Sequence, residues 1–235
     1  MPRHYQEAMR RPDAEQWQKA CEKEYQCIMK NQTYDLVPRD SLPPEANVLG
    51  NTWVFKIKPG MLYRARLCVR GDWQIEGVDF FEVFAPTARL QSFRILLHLG
   101  AAYDLKIEQV DFETAFMNGD LEEDVYMRQI PGFVDQDNPT HVCKLKKALN
   151  GIRQAPRQWF AKLKESLLQM GYTQSKFDPT MMYRLDSNSC FFILIFVDDL
   201  LIAASHSEEN ATIQADTRQQ IRHQRLGRSH HLSWN

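Results

Sequence analysis

The chain has 235 residues, 29 basic against 30 acidic side chains for a formal net charge of −1, and 43% hydrophobic residues. That is enough apolar material for one large domain or two small ones with a real core, and the near-neutral balance excludes a protein that coats nucleic acid with its whole surface. Five scattered cysteines without a C-x-x-C pair exclude a disulfide framework or cysteine zinc site, no stretch is long enough to span a bilayer, and the N-terminus with Arg3, His4 and Glu7 lacks the apolar run of a signal peptide, so a reducing, non-secretory setting is expected.

In chain order, Asp13 to Lys30 reads as an amphipathic helix. Asp13 stands at the N-cap with Gln16 three residues on, and Trp17, Cys21, Tyr25 and Ile28 recur on one face. The proline-bearing stretch that follows, with Pro38, Pro43 and Pro44, predicts a loop-rich connection containing a short strand at Thr33–Val37. Thr52–Lys58 and Tyr63–Arg70 alternate on either side of Pro59–Gly60 and predict a β-hairpin. Its alternation puts Lys56 and Lys58 on one face, with Arg64 and Arg66 along the partner strand. Such a ribbon either holds phosphate oxygens or is a solvated edge.

Gln91–Tyr103 has the spacing of a buried helix, with Phe93, Leu96, Leu97 and Leu99 as its apolar positions, and it leads into a strand-like segment, Leu105–Phe116, that contains Asp111. Val125–Met127 and Val142–Leu145 predict short strands. From Lys144 to Lys164 there are seven basic residues and no acid, whereas Asp104–Asp124 is acid-rich. That polarity would suit metal ions on one side of a cleft and a phosphate backbone on the other. Asn150–Arg157 is a loop bearing Gly151 and Pro156, able to offer backbone N–H groups to an anion. Trp159, Phe160, Leu163 and Leu167 then mark a helix that stops before Gly171.

The segment Cys190–Ser205 reads as two apolar strands folding back on each other, with Asp198 and Asp199 at the turn. Asp tolerates turn conformations, so a purely structural turn is one explanation. Yet adjacent carboxylates among desolvating side chains repel unless a cation lies between them. Oxygen ligands of this type suit Mg²⁺, and Asp111 at the end of another strand supplies a third acid. Together the three could hold two ions roughly 4 Å apart for in-line phosphoryl transfer. Beyond Ser205 the chain turns polar, and 206–235 is expected to be a frayed, disordered or degraded tail.

Seven blocks in this order resemble the reverse transcriptase of copia-type LTR retrotransposon Pol polyproteins: Trp53-Val-Phe-Lys-Ile-Lys, Arg64-Ala-Arg-Leu-Cys-Val-Arg-Gly71, Phe84-Ala-Pro-Thr87, Gln109-Val-Asp-Phe-Glu-Thr-Ala-Phe-Met-Asn-Gly-Asp-Leu121, Val125-Tyr-Met-Arg-Gln129, Asn150-Gly-Ile-Arg-Gln-Ala-Pro-Arg-Gln-Trp159 and Phe196-Val-Asp-Asp-Leu-Leu-Ile202. The resemblance implies an α+β right-hand polymerase with fingers (46–86 and 119–152) and a palm (87–118 and 153–205) built as a small antiparallel sheet backed by helices. A helical, loop-rich lead-in over 1–45 precedes them, and the thumb and ribonuclease H domain are expected to be missing from this fragment.

By the same resemblance, Asp111, Asp198 and Asp199 match the catalytic aspartates that bind two Mg²⁺ ions, Mn²⁺ being the alternative, with the Phe112 backbone carbonyl as a further ligand. Arg64, Arg66, Phe116, Asn150 and Gly151 match nucleotide-binding positions, and Phe116 would exclude a 2′-hydroxyl. Gln154 and Arg157 match positions towards the template. The implied activity is RNA-directed DNA polymerisation, with an RNA or DNA template, its primer, dNTPs and other parts of the polyprotein as partners. The implied location is a cytoplasmic virus-like particle or the nucleus. The alternative is a catalytically inactive relic or host-retained fragment that binds nucleic acid or protein. Asn150 departs from the family pattern, where an aromatic precedes this glycine.

Overall fold

Local pattern becomes structure most directly at the N-terminus, where a computed structural model, which describes residues 1–112, 114–186 and 189–205, forms a helix over Ala14–Lys30. In chain order the elements are α1 (Tyr5–Met9), α2 (Ala14–Lys30), β1 (Tyr34–Val37), β2 (Val48–Leu49), β3 (Asn51–Lys58), β4 (Leu62–Val69), α3 (Leu90–Ala102) and β5 (Lys106–Asp111). There follow β6 (Asp120–Met127), β7 (Val142–Lys147), α4 (Ala155–Gln169), β8 (Thr173–Gln174), β9 (Met181–Leu185), β10 (Cys190–Phe196) and β11 (Asp199–Ala204). The class is mixed α+β. The polar tail expected over 206–235 lies outside the described residues.

The chain divides into two units, residues 1–84 with 116–159 and residues 85–115 with 160–235. In the first, α2 buries Trp17, Cys21 and Ile28. The Trp17 ring meets Phe55 edge-on at 5.1 Å and Tyr63 at 4.5 Å, contacts worth about 0.5–1.5 kcal/mol each beyond the area they bury. Asp13 occupies the N-cap but does not cap. Its carboxylate instead accepts from Trp17 Nε1 (3.1 Å), Arg11 Nε (2.9 Å) and the Tyr63 hydroxyl (3.2 Å), tying the helix start to the hairpin.

β3 and β4 pair antiparallel from Asn51↔Val69 to Lys58↔Leu62, so the hairpin turns through 59–61. Trp53, Phe55, Ala65, Leu67 and Val69 fill its buried face. A second sheet runs β1-β7-β6-β2, parallel only at β2 and β6.

On this second sheet three of the seven basic residues of the 144–164 run have acidic partners. Lys144 pairs with Asp124 (2.8 Å), Lys146 with Asp35 (2.7 Å) and Lys147 with Asp120. The acid-rich and lysine-rich runs lie on neighbouring strands and neutralise one another, because opposite charges across a ladder attract.

The second unit is an antiparallel five-stranded sheet in the order β5-β11-β10-β9-β8. Leu96 of α3 packs with Leu105, Met181, Leu194 and Ala203. Phe191, Ile193, Ile195, Leu200 and Ile202 alternate with that set and are buried on the other face, which is why both strands of the acid hairpin read as nearly continuous apolar runs. The expected burial of α3 is only partly realised: Ser92, Leu96 and Gly100 face inward, while Phe93 and Leu97 stay 40% and 42% exposed. The start of α3 is anchored by Asp178, which accepts from the Ser92 hydroxyl and from the backbone N–H (2.9 Å) and hydroxyl (2.7 Å) of Thr180.

Candidate active site

The acid hairpin is a ladder closed by two residues. Phe196 pairs with Asp199, leaving Val197 and Asp198 as the turn. Val197 has φ = 55°, whereas Asp198 is absent from the positive-φ residues. That combination matches a hairpin turn whose first central position is left-handed, a place normally given to glycine. A β-branched residue held there stores backbone strain.

On the neighbouring strand, Asp111 is the register partner of Asp199. Directly opposite side chains lie on one face with Cβ atoms about 4.5–5.5 Å apart. The Phe112 N–H donates to the Asp198 carbonyl at 3.2 Å, fastening the turn to the end of β5. Asp111, Phe112, Asp198 and Asp199 are thus gathered in one unit. The Phe112 carbonyl accepts from the Ala115 N–H (3.2 Å).

Two residues that sequence reasoning passed over belong here. Gln109 Nε2 donates to Asp199 Oδ1 at 3.1 Å, fixing that carboxylate. Being two positions before Asp111 on the same strand, it could have been found from the period-two rule. Arg89, with Leu90, Phe93, Gln109 and Phe196, lines a cavity of about 460 Å³ to which Asp199 also contributes. Nothing in the local pattern around Arg89 signals this, since it depends on where α3 lands.

Among the described residues no basic side chain forms an ion pair with the three aspartates, and no three His, Cys, Asp or Glu side chains gather into a ready metal-ligating group. The donor chemistry nevertheless fits a hard divalent cation: carboxylate oxygens only, two of them on directly opposed residues that repel without one.

The other candidate positions belong to the first unit. Arg64 lies opposite Lys56 and Arg66 opposite Val54 on the outer face of the hairpin, where Arg66 is exposed and Arg64 half-buried. Glu24 of α2 accepts from the Leu67 N–H at 3.4 Å. Burial pushes its carboxyl up, and the positive charges of Arg66 and Arg64 oppose that rise. Phe116 is half-buried against the first unit's core.

The Asn150 carbonyl accepts from the Val69 N–H at 2.8 Å. Gly151 has φ = 97°, and a Cβ there would lie 2.1 Å from the Val69 oxygen. Arg157 is paired with Glu82 at 2.8 Å. Gln154 departs from its expected template-facing role. It is fully buried, with its amide committed to the Asp79 carbonyl (2.8 Å), Glu123 (3.3 Å) and Gln74 (2.9 Å). A carboxamide can be interred in this way because it matches donors and acceptors at both ends.

Comparison with known proteins gives this geometry a context. Residues 31–232 match the family described as reverse transcriptase (RNA-dependent DNA polymerase). The chain is 38% identical over 221 residues to the retrovirus-related Pol polyprotein from transposon TNT 1-94 of Nicotiana tabacum, covering 92% of this chain and 16% of that one. It is 39% identical over 196 residues to the Pol polyprotein from transposon RE1 of Arabidopsis thaliana, covering 81% and 13%. To the Ty1-DR4 Gag-Pol polyprotein of Saccharomyces cerevisiae it is 25% identical over 206 residues, covering 86% and 12%. The chain therefore spans less than a fifth of the length of these relatives. With most of its residues matched, it belongs to the reverse transcriptase (RNA-dependent DNA polymerase) family, as its resemblance to copia-type retrotransposons implied.

Proposed function

We propose that this chain is the nucleotidyl-transfer module of a retrotransposon polymerase, extending a primer 3′-hydroxyl with dNTPs on an RNA or DNA template. The observation that carries the reading is the register pairing of Asp111 with Asp199 beside the strained turn bearing Asp198. In this reading the unit holding the acids is the palm and the unit with the β3–β4 hairpin is the fingers.

Asp111, Asp198 and Asp199 would hold Mg²⁺, with the Phe112 backbone carbonyl as a further neutral ligand in this reading. When bound, the ions lower the pKa of the primer hydroxyl and stabilise the leaving pyrophosphate. The hydrogen bond from Gln109 keeps the Asp199 carboxylate from rotating away. Arg64, Arg66 and Lys56, side by side on one hairpin face, supply positive charge and bidentate donors for a triphosphate. Phe116 selects a deoxyribose by occupying the volume that a 2′-hydroxyl would need. Asn150 and Gly151 are nucleotide-binding positions in this reading.

Primer extension on poly(rA)–oligo(dT) with Mg²⁺ tests the proposal. Incorporation of dTTP that disappears in Asp198→Asn supports it. Undiminished incorporation by that variant, or none by the unaltered chain at saturating substrate, overturns it.

A further inference from the structure

The interior of the first unit contains an unusually polar patch. Gln154 is 0%, Asp79 1% and Gln74 7% exposed. Gln154 Nε2 donates to the Asp79 carbonyl (2.8 Å), and its Oε1 accepts from Gln74 Nε2 (2.9 Å). Gln74 Oε1 in turn accepts from the backbone N–H of Arg153 at 2.7 Å. Asp79 Oδ2 accepts from Asn47 Nδ2 and from the Ile75 N–H, both at 2.8 Å. Arg153 Nε donates to the Gly71 carbonyl at 2.9 Å.

These bonds form one chain of contacts from the loop after β4 to the Asn150–Arg153 loop. Asp79 Oδ1 is buried without a hydrogen-bond partner among the described residues, but the Gln154 and Gln74 carboxamides and the Arg153 N–H are matched to one another, and matched buried groups specify a single arrangement where apolar packing would allow several. The backbone they hold is the segment whose close approach leaves no room for a side chain on Gly151.

We infer that Gln154 is a positioning residue for the nucleotide-binding loop at Asn150–Gly151, acting through Gln74 and the Arg153 backbone; the inference rests on the nucleotide reading of that loop given above. Its amide sets the orientation of the Gln74 carboxamide, whose oxygen fixes the Arg153 N–H. The Gly71 carbonyl fixes the Arg153 side chain, and the Asn150 carbonyl is locked on Val69 from the other side. The loop is thus pinned at both ends before any nucleotide arrives, so its ordering cost is met in folding rather than in binding.

The experiment compares the unaltered chain with Gln154→Ala and with Gln74→Ala. The second variant leaves the Gln154–Asp79 bond in place and serves if the first does not fold. Both are expected to raise KM for the dNTP about tenfold, the factor carried by one hydrogen bond's worth of misplacement, with kcat and primer–template affinity within about twofold. A purely structural role would instead reduce the folded fraction, lowering apparent kcat at constant KM. An unchanged KM in the folded variants overturns the inference. Hydrogen exchange at the Arg153 and Val69 amides supplies a readout independent of activity: about tenfold faster exchange at Arg153 in both variants is expected, and unchanged exchange overturns the inference. If the unaltered chain incorporates no dNTP, the polymerase reading fails by itself and amide exchange still decides the positioning role.

Discussion

Asp111 and Asp199 face each other across the last register pair of the β5–β11 ladder, and among the described residues neither has a basic side chain as an ion-pair partner. Like charges in that position destabilise a ladder by about 0.2–1 kcal/mol. Asp111→Asn and Asp199→Asn are therefore expected to raise metal-free stability by a few tenths of a kcal/mol while cutting dNTP incorporation by about 10²–10³. Thermal unfolding in EDTA alongside primer extension checks both signs. Added Mg²⁺ should raise the melting temperature of the unaltered chain and leave the variants almost unmoved.

The left-handed Val197 (φ = 55°) gives a backbone prediction. A left-handed L-residue costs about 1–2 kcal/mol, and glycine loses about 0.5–1 kcal/mol of that advantage through unfolded-chain entropy. Val197→Gly should leave stability unchanged or raise it by up to about 1 kcal/mol. Val197→Pro, which fixes φ near −65°, should destabilise the hairpin by about 3 kcal/mol or more. Denaturant midpoints of the two variants separate these outcomes.

Gly71 and Gly151 meet backbone to backbone: a Cβ on Gly71 would lie 2.0 Å from the Gly151 carbonyl oxygen, and Gly151 has φ = 97°. Neither contact can be relieved by turning a side chain. Gly71→Ala and Gly151→Ala should each cost at least about 2 kcal/mol, visible as a lower urea midpoint. Gly60→Ala, in a turn with open space around it, should cost only the strain of its own φ.

Asp178 gives a pH dependence. Burial pushes its carboxyl up, but hydrogen bonds from the Ser92 and Thr180 hydroxyls and from the Thr180 and Arg89 backbone outweigh it, holding the group below the usual carboxylate range. A folded pKa below the unfolded one contributes stability that is present above about pH 4 and lost as pH falls through the folded value. Asp178→Asn should therefore be less stable than the unaltered chain at neutral pH, with the gap closing on acidification below pH 4. Chemical denaturation from pH 7 to pH 3 measures it.

Much of this architecture could be read in advance, and the reasons are local. The β3–β4 hairpin and the acid hairpin announce themselves because alternation and turn residues act between near neighbours. What stayed hidden depends on non-local partners. The lysines of β7 looked like a phosphate surface because no one-dimensional pattern shows that Asp35, Asp120 and Asp124 lie alongside. The burial of Gln154, matched in the sequence only to a position towards the template, could not be read in advance because it is decided by Gln74 and Asp79, some 75 or more residues away in the chain. Gln109 escaped notice because a neutral carboxamide shows no role until Asp199 lies beside it, and Arg89 because its position depends on where α3 lands.

The two-residue closure between Phe196 and Asp199 has an evolutionary corollary. Strand faces alternate with period two, so one residue inserted before Asp199, with the ladder register held, would move it into the place of Leu200 and send the carboxylate into the greasy layer beneath, while one deleted would draw it back into the turn. The hairpin can drift in spelling but not in length. If the proposed polymerase reading holds, a reading-frame-preserving insertion at this corner of a related copy should abolish its activity as surely as loss of an aspartate.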